Sequence, residues 1–144
     1  MGRTANRATL IVLQSFVAFT TLFGAFLVVP TLPLDWLQRG PMTDYTIPAI
    51  ALGLVGVSAI VSVLLLVLGS RHAPVVTMIS GAMMIAFEFV EIAVVGFAVI
   101  VHGADNPVSW LQVVYIAIGV TVMALAYRLW HQMADPWSVA WHAR

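Results

Sequence analysis

The chain has 144 residues, of which 62% are hydrophobic and 8% charged, with a formal net charge of zero. A soluble domain of this length carries far more charge on its surface, and a nucleic-acid partner calls for a basic cluster that this sequence lacks. Cysteine is absent, which excludes disulfides, thiolate metal sites and a cysteine nucleophile.

The apolar residues fall into four runs, each long enough to cross a hydrocarbon core of roughly 30 Å, which takes about 20 helical residues. The first run covers residues 7–29 and stops at Pro30. Its basic lead, MGRTANR, suggests a signal peptide, but the run is too long for an h-region and lacks a small-residue cleavage site. A retained helix is expected. The second run covers residues 47–69, with Thr46 as its N-cap and Pro48 tolerated in the first turn. The third covers 75–102, after the breaker SRHAP, and the fourth 109–131, after GADNP. These two breakers are short, so the second, third and fourth spans are expected as sequential antiparallel neighbours. The tail, residues 133–144, places Trp137 and Trp141 four residues apart, the spacing of an interfacial helical turn. The expected fold is an all-α membrane protein, a single antiparallel four-transmembrane-helix bundle.

Arginines set the orientation. Arg3, Arg7, Arg71, Arg128 and Arg144 fall on one side of this layout and only Arg39 on the other. The positive-inside rule then puts both termini in the cytoplasm of a multi-pass protein of the inner (plasma) membrane. Trp36 and Trp110 lie at the outer boundary, Trp130 at the inner one. The longest connection, PTLPLDWLQRGPMTDY, is outer and too apolar, at Leu32, Leu34, Trp36 and Leu37, for a purely solvated loop. It is expected to fold back over the bundle.

The stretch IAFEFVEIAVVG, residues 85–96, sets Glu88 and Glu91 inside an apolar run. Residues three apart share a helix face, and stepping back from Glu88 adds Met84, Gly81 and Thr77 to that face. Small residues mark close helix contact, since lipid gives no reason to prefer them, so the glutamates are expected to face protein. Matching stripes occur as Gln14, Ala18, Thr21 and Ala25 in span one, Ala49, Gly53 and Gly56 in span two, and Gln112, Tyr115, Gly119 and Ala126 in span four. The hydrogen-bonding groups then gather in the outer half, under the long loop, while the inner half reads as mostly aliphatic, as in VSVLLLVLG.

An acid at a helix centre costs about 2.5 to 3.5 kcal/mol on translocon scales, and no basic residue lies at matching depth. Three arrangements compensate two acids in one turn: a protonated carboxyl that donates a hydrogen bond, a proton shared by the pair, or a bound cation. The candidate catalytic residues are therefore Glu88, Glu91 and Tyr115. The candidate ligand-binding residues are Asp44, Tyr45, Gln112, Trp110 and Thr21. The alternative is structural, with buried carboxyls acting as glue between helices or chains. His72, His102, His131 and His142 all sit at span ends or beyond, so no histidine pair holds a haem within the bundle. Phosphate loops, zinc motifs and nucleophile motifs are absent, and neither metal nor cofactor is expected.

The order Tyr45, Pro48, Leu52, Gly53 and Gly56 in span two continues with Glu88, Glu91 and Gly96 in span three, then Trp110, Leu111, Gln112, Tyr115 and Gly119 in span four. Over most of the chain this order resembles small bacterial four-helix integral membrane proteins, mostly uncharacterised, and the resemblance implies no activity. Small multidrug exporters also combine four short helices with a membrane glutamate, but theirs lies in the first helix, which here has no acid. The functional expectation is an outward-facing intramembrane acidic pocket for a lipophilic or cationic small molecule. Acid–base isomerisation, cyclisation or epoxide opening is the leading chemistry. A proton-coupled small-molecule transporter and a non-catalytic accessory subunit of a membrane complex are the alternatives. The partners this implies are the lipid bilayer, the small molecule and a second copy or another chain.

Overall fold

The computed structural model of the chain describes residues 2–31, 44–95 and 107–134. All of the regular structure there is helical: α1 (Arg3–Phe23), α2 (Thr46–Leu68), α3 (Ala73–Val95) and α4 (Pro107–Ala134). Four helical segments are long and apolar enough to cross a membrane. Such runs become helices because hydrocarbon offers no partner to a backbone N–H or C=O, so each must be satisfied within its own segment. The expected outer loop with Trp36 and Arg39, the last residues of the third span with His102, and the tail with Trp137 and Trp141 lie outside the described residues.

α1 starts four residues before the expected span. Beyond Phe23 the chain passes through a π turn, Gly24–Val28, and a 3-10 turn, Val29–Thr31. The Val29 N–H donates to the Gly24 carbonyl, five residues back. Pro30 has no N–H with which to continue the ladder. At α2 the expected cap moves by two residues. Thr46 is the first helical residue, and the Asp44 carboxylate accepts its N–H at 2.9 Å. Gly69 closes α2 with φ +69°, the left-handed conformation that glycine adopts without strain, and the Ser70 N–H returns to the Leu65 carbonyl.

Each helix turns a small or polar face inward. α1 buries Asn6, Leu10, Gln14, Val17, Ala18 and Thr21, and α2 buries Val55, Gly56, Ala59, Ser62 and Leu66. The opposite faces are aliphatic or aromatic and open, with Phe19, Phe26 and Leu68 all more than two-thirds exposed. That is the belt a bilayer covers.

Packing joins α1 to α2, α2 to α3, α3 to α4, and α4 back to α1. Two of these seams are glycine seams. A Cβ on Gly56 would stand 2.7 Å from Leu22 and Thr21 of α1, and one on Gly119 would stand 2.7 Å from Ile85 and 3.0 Å from the Gly81 carbonyl of α3. The other two are crossed by polar side chains. Ser62 and Thr77 meet at 2.7 Å and Ser58 and Ser80 at 3.0 Å between α2 and α3, while Asn6 donates to the Leu125 carbonyl between α1 and α4 at 3.1 Å. Arg7 ties the start of α1 to the end of α2, its guanidinium donating to the Leu66 carbonyl at 2.6 Å and the Val67 carbonyl at 2.8 Å.

Candidate functional site

Glu88 is 2% exposed, and its stripe neighbours Met84, Gly81 and Thr77 are buried with it. The spacing that put these residues on one face therefore gave the correct rotation of α3. Glu91, one turn on, is half-buried. The two carboxyls are neighbours, and the Gln112 side chain of α4 lies beside Glu91. Carboxylates only accept, so a hydrogen bond between these two acids requires a proton on one of them.

Two buried acceptors at this site have no protein partner: Oε2 of Glu88 and Oε1 of Gln112. Leaving such an atom unsatisfied costs about 1–3 kcal/mol. Among the described residues no guanidinium stands near. Arg7 is bound to the far end of α2, Arg71 lies in the turn after it, and Arg128 adjoins Leu129 in the Leu10–Leu66 cluster at that same end. Among the described residues no group of three His, Asp or Glu side chains forms a metal site.

The other candidate residues divide by position. Tyr115 packs on the cluster of Val17, Ala18, Val55, Ala59 and Met84, which forms the apolar layer next to the acid pair along α3. Thr21 is buried on the α1–α2 seam, with its hydroxyl donating to its own helix at the Val17 carbonyl, 2.7 Å away. Tyr45 is buried against Val29, Ala49 and Leu52, in a cluster separate from that of Met84. Asp44 is exposed beside the Thr46 N–H, which holds its carboxyl below the usual carboxylate range. Trp110 is 69% exposed. At 100° per residue it lies about 200° around α4 from Gln112. The structure thus gathers Glu88, Glu91 and Gln112, sets Tyr115 beside them, and distributes Thr21, Tyr45, Asp44 and Trp110 elsewhere.

One expectation is overturned. The half of the bundle beyond Met84 is not simply aliphatic, because Asn6, Gln14, Ser62, Thr77 and Ser80 are all buried there. Ser80 donates to Gln14 Oε1 at 3.3 Å and also meets Ser58, so three helices share one polar knot. The run VSVLLLVLG reads as aliphatic because most of its leucines and valines face outward, Leu64 and Val67 both more than half exposed, while Ser62 turns in together with Leu66. A search for hydroxyl residues four apart would have found Ser58 and Ser62 on the buried face of α2.

The chain matches no family model, no curated protein and no solved structure.

Proposed function

We propose that the chain is an antiparallel four-helix protein of the inner (plasma) membrane, with cytoplasmic termini and an acidic pocket in its outward half. The pocket takes a lipophilic or cationic small molecule at Glu88 and Glu91. Contacts at the helix ends support the antiparallel order, since Arg7 at the start of α1 meets the end of α2, and Asn6 meets Leu125 late in α4. The arginine bias supports the orientation.

The observation that carries the pocket is the buried, unpartnered Oε2 of Glu88, next to a second carboxyl and, among the described residues, remote from any guanidinium. An acceptor in that setting is satisfied by a ligand's donor: the N–H of an organic amine, or the charge of a lipophilic cation. On a neutral bilayer-soluble substrate, the protonated carboxyl gives a proton to one atom while the carboxylate takes one from another. The pair then ends with the protons it started with, which is the bookkeeping of isomerisation or cyclisation. Epoxide opening uses the same acid on the ring oxygen, while the carboxylate takes a proton from the water that attacks the ring carbon.

Tetraphenylphosphonium is a suitable probe, being a lipophilic cation with no hydrogen bonds of its own. Quenching of tryptophan fluorescence in the purified protein should report binding. Glu88→Gln keeps the side-chain shape and should weaken it about tenfold, or ~1.4 kcal/mol. Equal binding by wild type and Glu88→Gln would refute the cation-handling pocket.

The polar knot of Gln14, Ser58 and Ser80 favours a second reading, a proton-coupled transporter, because it continues hydrogen-bonding groups from Glu88 toward the opposite end. Tetraphenylphosphonium efflux driven by a pH gradient in proteoliposomes separates the two. A transporter moves the probe, whereas an enzyme only binds it.

A further inference from the structure

A second site lies at the opposite end of the molecule. A cleft there is lined by Arg3, Arg7, Leu66, Ser70, Leu129 and Met133, where the start of α1, the α2–α3 turn and the end of α4 converge. We propose that this cleft binds the phosphate headgroup of an anionic phospholipid.

The donors are on one wall. Arg7 spends Nε and one terminal nitrogen on the Leu66 and Val67 carbonyls. This pins the guanidinium across the end of α2 and leaves its other terminal nitrogen beside Gly69, where even a Cβ would be 3.6 Å away. Gly69 has no side chain to cover that nitrogen. Ser70 Oγ accepts the His72 N–H at 3.2 Å, which leaves the serine O–H to donate outward. Arg3 stands exposed one turn before Arg7. Guanidinium forks match phosphate oxygens in geometry as well as charge.

The other wall is apolar, formed by Leu66, Leu129 and Met133. A free anion gains nothing from it, whereas the glycerol and first methylenes of a lipid do. Among the described residues, charge around the cleft has one sign. Arg71 and Arg128 share this end, and the acidic residues among those described, Asp44, Glu88 and Glu91, belong to the other half. Trp130, adjoining Leu129, is 43% exposed, as an interfacial anchor at headgroup level would be. Basic pockets between membrane helices on the cytoplasmic side take phosphate headgroups in this way.

The test uses the full chain in a neutral maltoside detergent, reading the midpoint of thermal unfolding against added phosphatidylglycerol, phosphatidylcholine or inorganic phosphate. Phosphatidylglycerol should raise the midpoint and the other two should not, because only the anionic lipid binds the folded state. Arg3→Gln, altering an exposed residue outside the core, should weaken the lipid effect about fivefold, Arg3→Lys less, and Arg71→Gln less than about twofold. An equal response to phosphatidylcholine, or to inorganic phosphate at matched concentration, overturns the proposal. So does an equal loss in Arg71→Gln and Arg3→Gln, which would reduce the effect to diffuse surface charge.

Discussion

Asp44 and Glu88 are both carboxylic acids, and their surroundings ask different things of them. Asp44 stands in the open and accepts the Thr46 N–H, so its charged form is the one the fold uses. Because its carboxyl is held below the ordinary value of 3.8, its stabilising contribution is present above that value and is lost as pH falls below it, through the folded value. Protection of the Thr46 amide from hydrogen exchange, corrected for intrinsic rate, should therefore drop on acidification from about pH 5 to about pH 2. In Asp44→Asn, which keeps an oxygen acceptor, the protection should be flat over that range. An unchanged acid response in Asp44→Asn would remove the carboxylate from the capping role. Glu88 has no backbone N–H to receive, only Glu91 and an unsatisfied oxygen. At this scale the sequence was legible where spacing alone decides: Thr77, Gly81, Met84 and Glu88 repeat at four, three and four, and all are buried. It was illegible where a partner decides. Nothing in the sequence around Thr21 says that its hydroxyl bonds its own helix, and nothing around Asp44 says which amide it caps.

Among the elements, the glycine seams carry the closest approaches and yield a graded prediction. Gly119→Ala places a methyl 2.7 Å from Ile85 and 3.0 Å from the Gly81 carbonyl, and the carbonyl cannot turn aside. Overpacking of this kind costs about 1–3 kcal/mol. Gly56→Ala also meets atoms at 2.7 Å, but all three of its contacts are to side chains, Cγ and Cδ2 of Leu22 and Oγ1 of Thr21, and none to backbone, so its cost should fall below that of Gly119→Ala. Gly53→Ala meets only the Ala25 Cβ, at 4.0 Å, and should be neutral or stabilising by up to ~1 kcal/mol through helix propensity. Denaturant unfolding of the three variants in detergent checks the order. If Gly53→Ala proves the most harmful, the α1–α2 and α3–α4 seams are wrongly placed. Small-residue stripes made these seams readable in advance, but the α2–α3 contact was not. Its serines sit singly among leucines and valines, and only the rotation of both helices shows that Ser62 meets Thr77 and Ser58 meets Ser80.

For the whole molecule, the proposed orientation rests on arginines at one end and can be tested without disturbing the core. The chain has no cysteine of its own, so a single introduced thiol is unambiguous. Asp44→Cys and Arg71→Cys alter exposed residues at opposite ends of α2. In intact cells an impermeant thiol reagent should label Asp44→Cys and spare Arg71→Cys until the membrane is opened. The reverse pattern would invert the topology and with it the outward placement of the acid pair. The four-helix count was legible from run length, the stop at Pro30 and the breakers SRHAP and GADNP, since hydrocarbon leaves the backbone no alternative to helix. The glycine seams also bear on biosynthesis. α1 and α2 can close on each other through Gly56 before α3 has left the ribosome. α3 then enters the bilayer carrying Glu88 and Glu91, while Gln112 and Gly119 of its partner α4 are not yet made. During that interval the two acids face the membrane without the helix that shelters them. A ribosome stalled between the third and fourth spans would thus hold the nascent chain at its most exposed moment, when quality-control proteases and insertases would act on it most strongly.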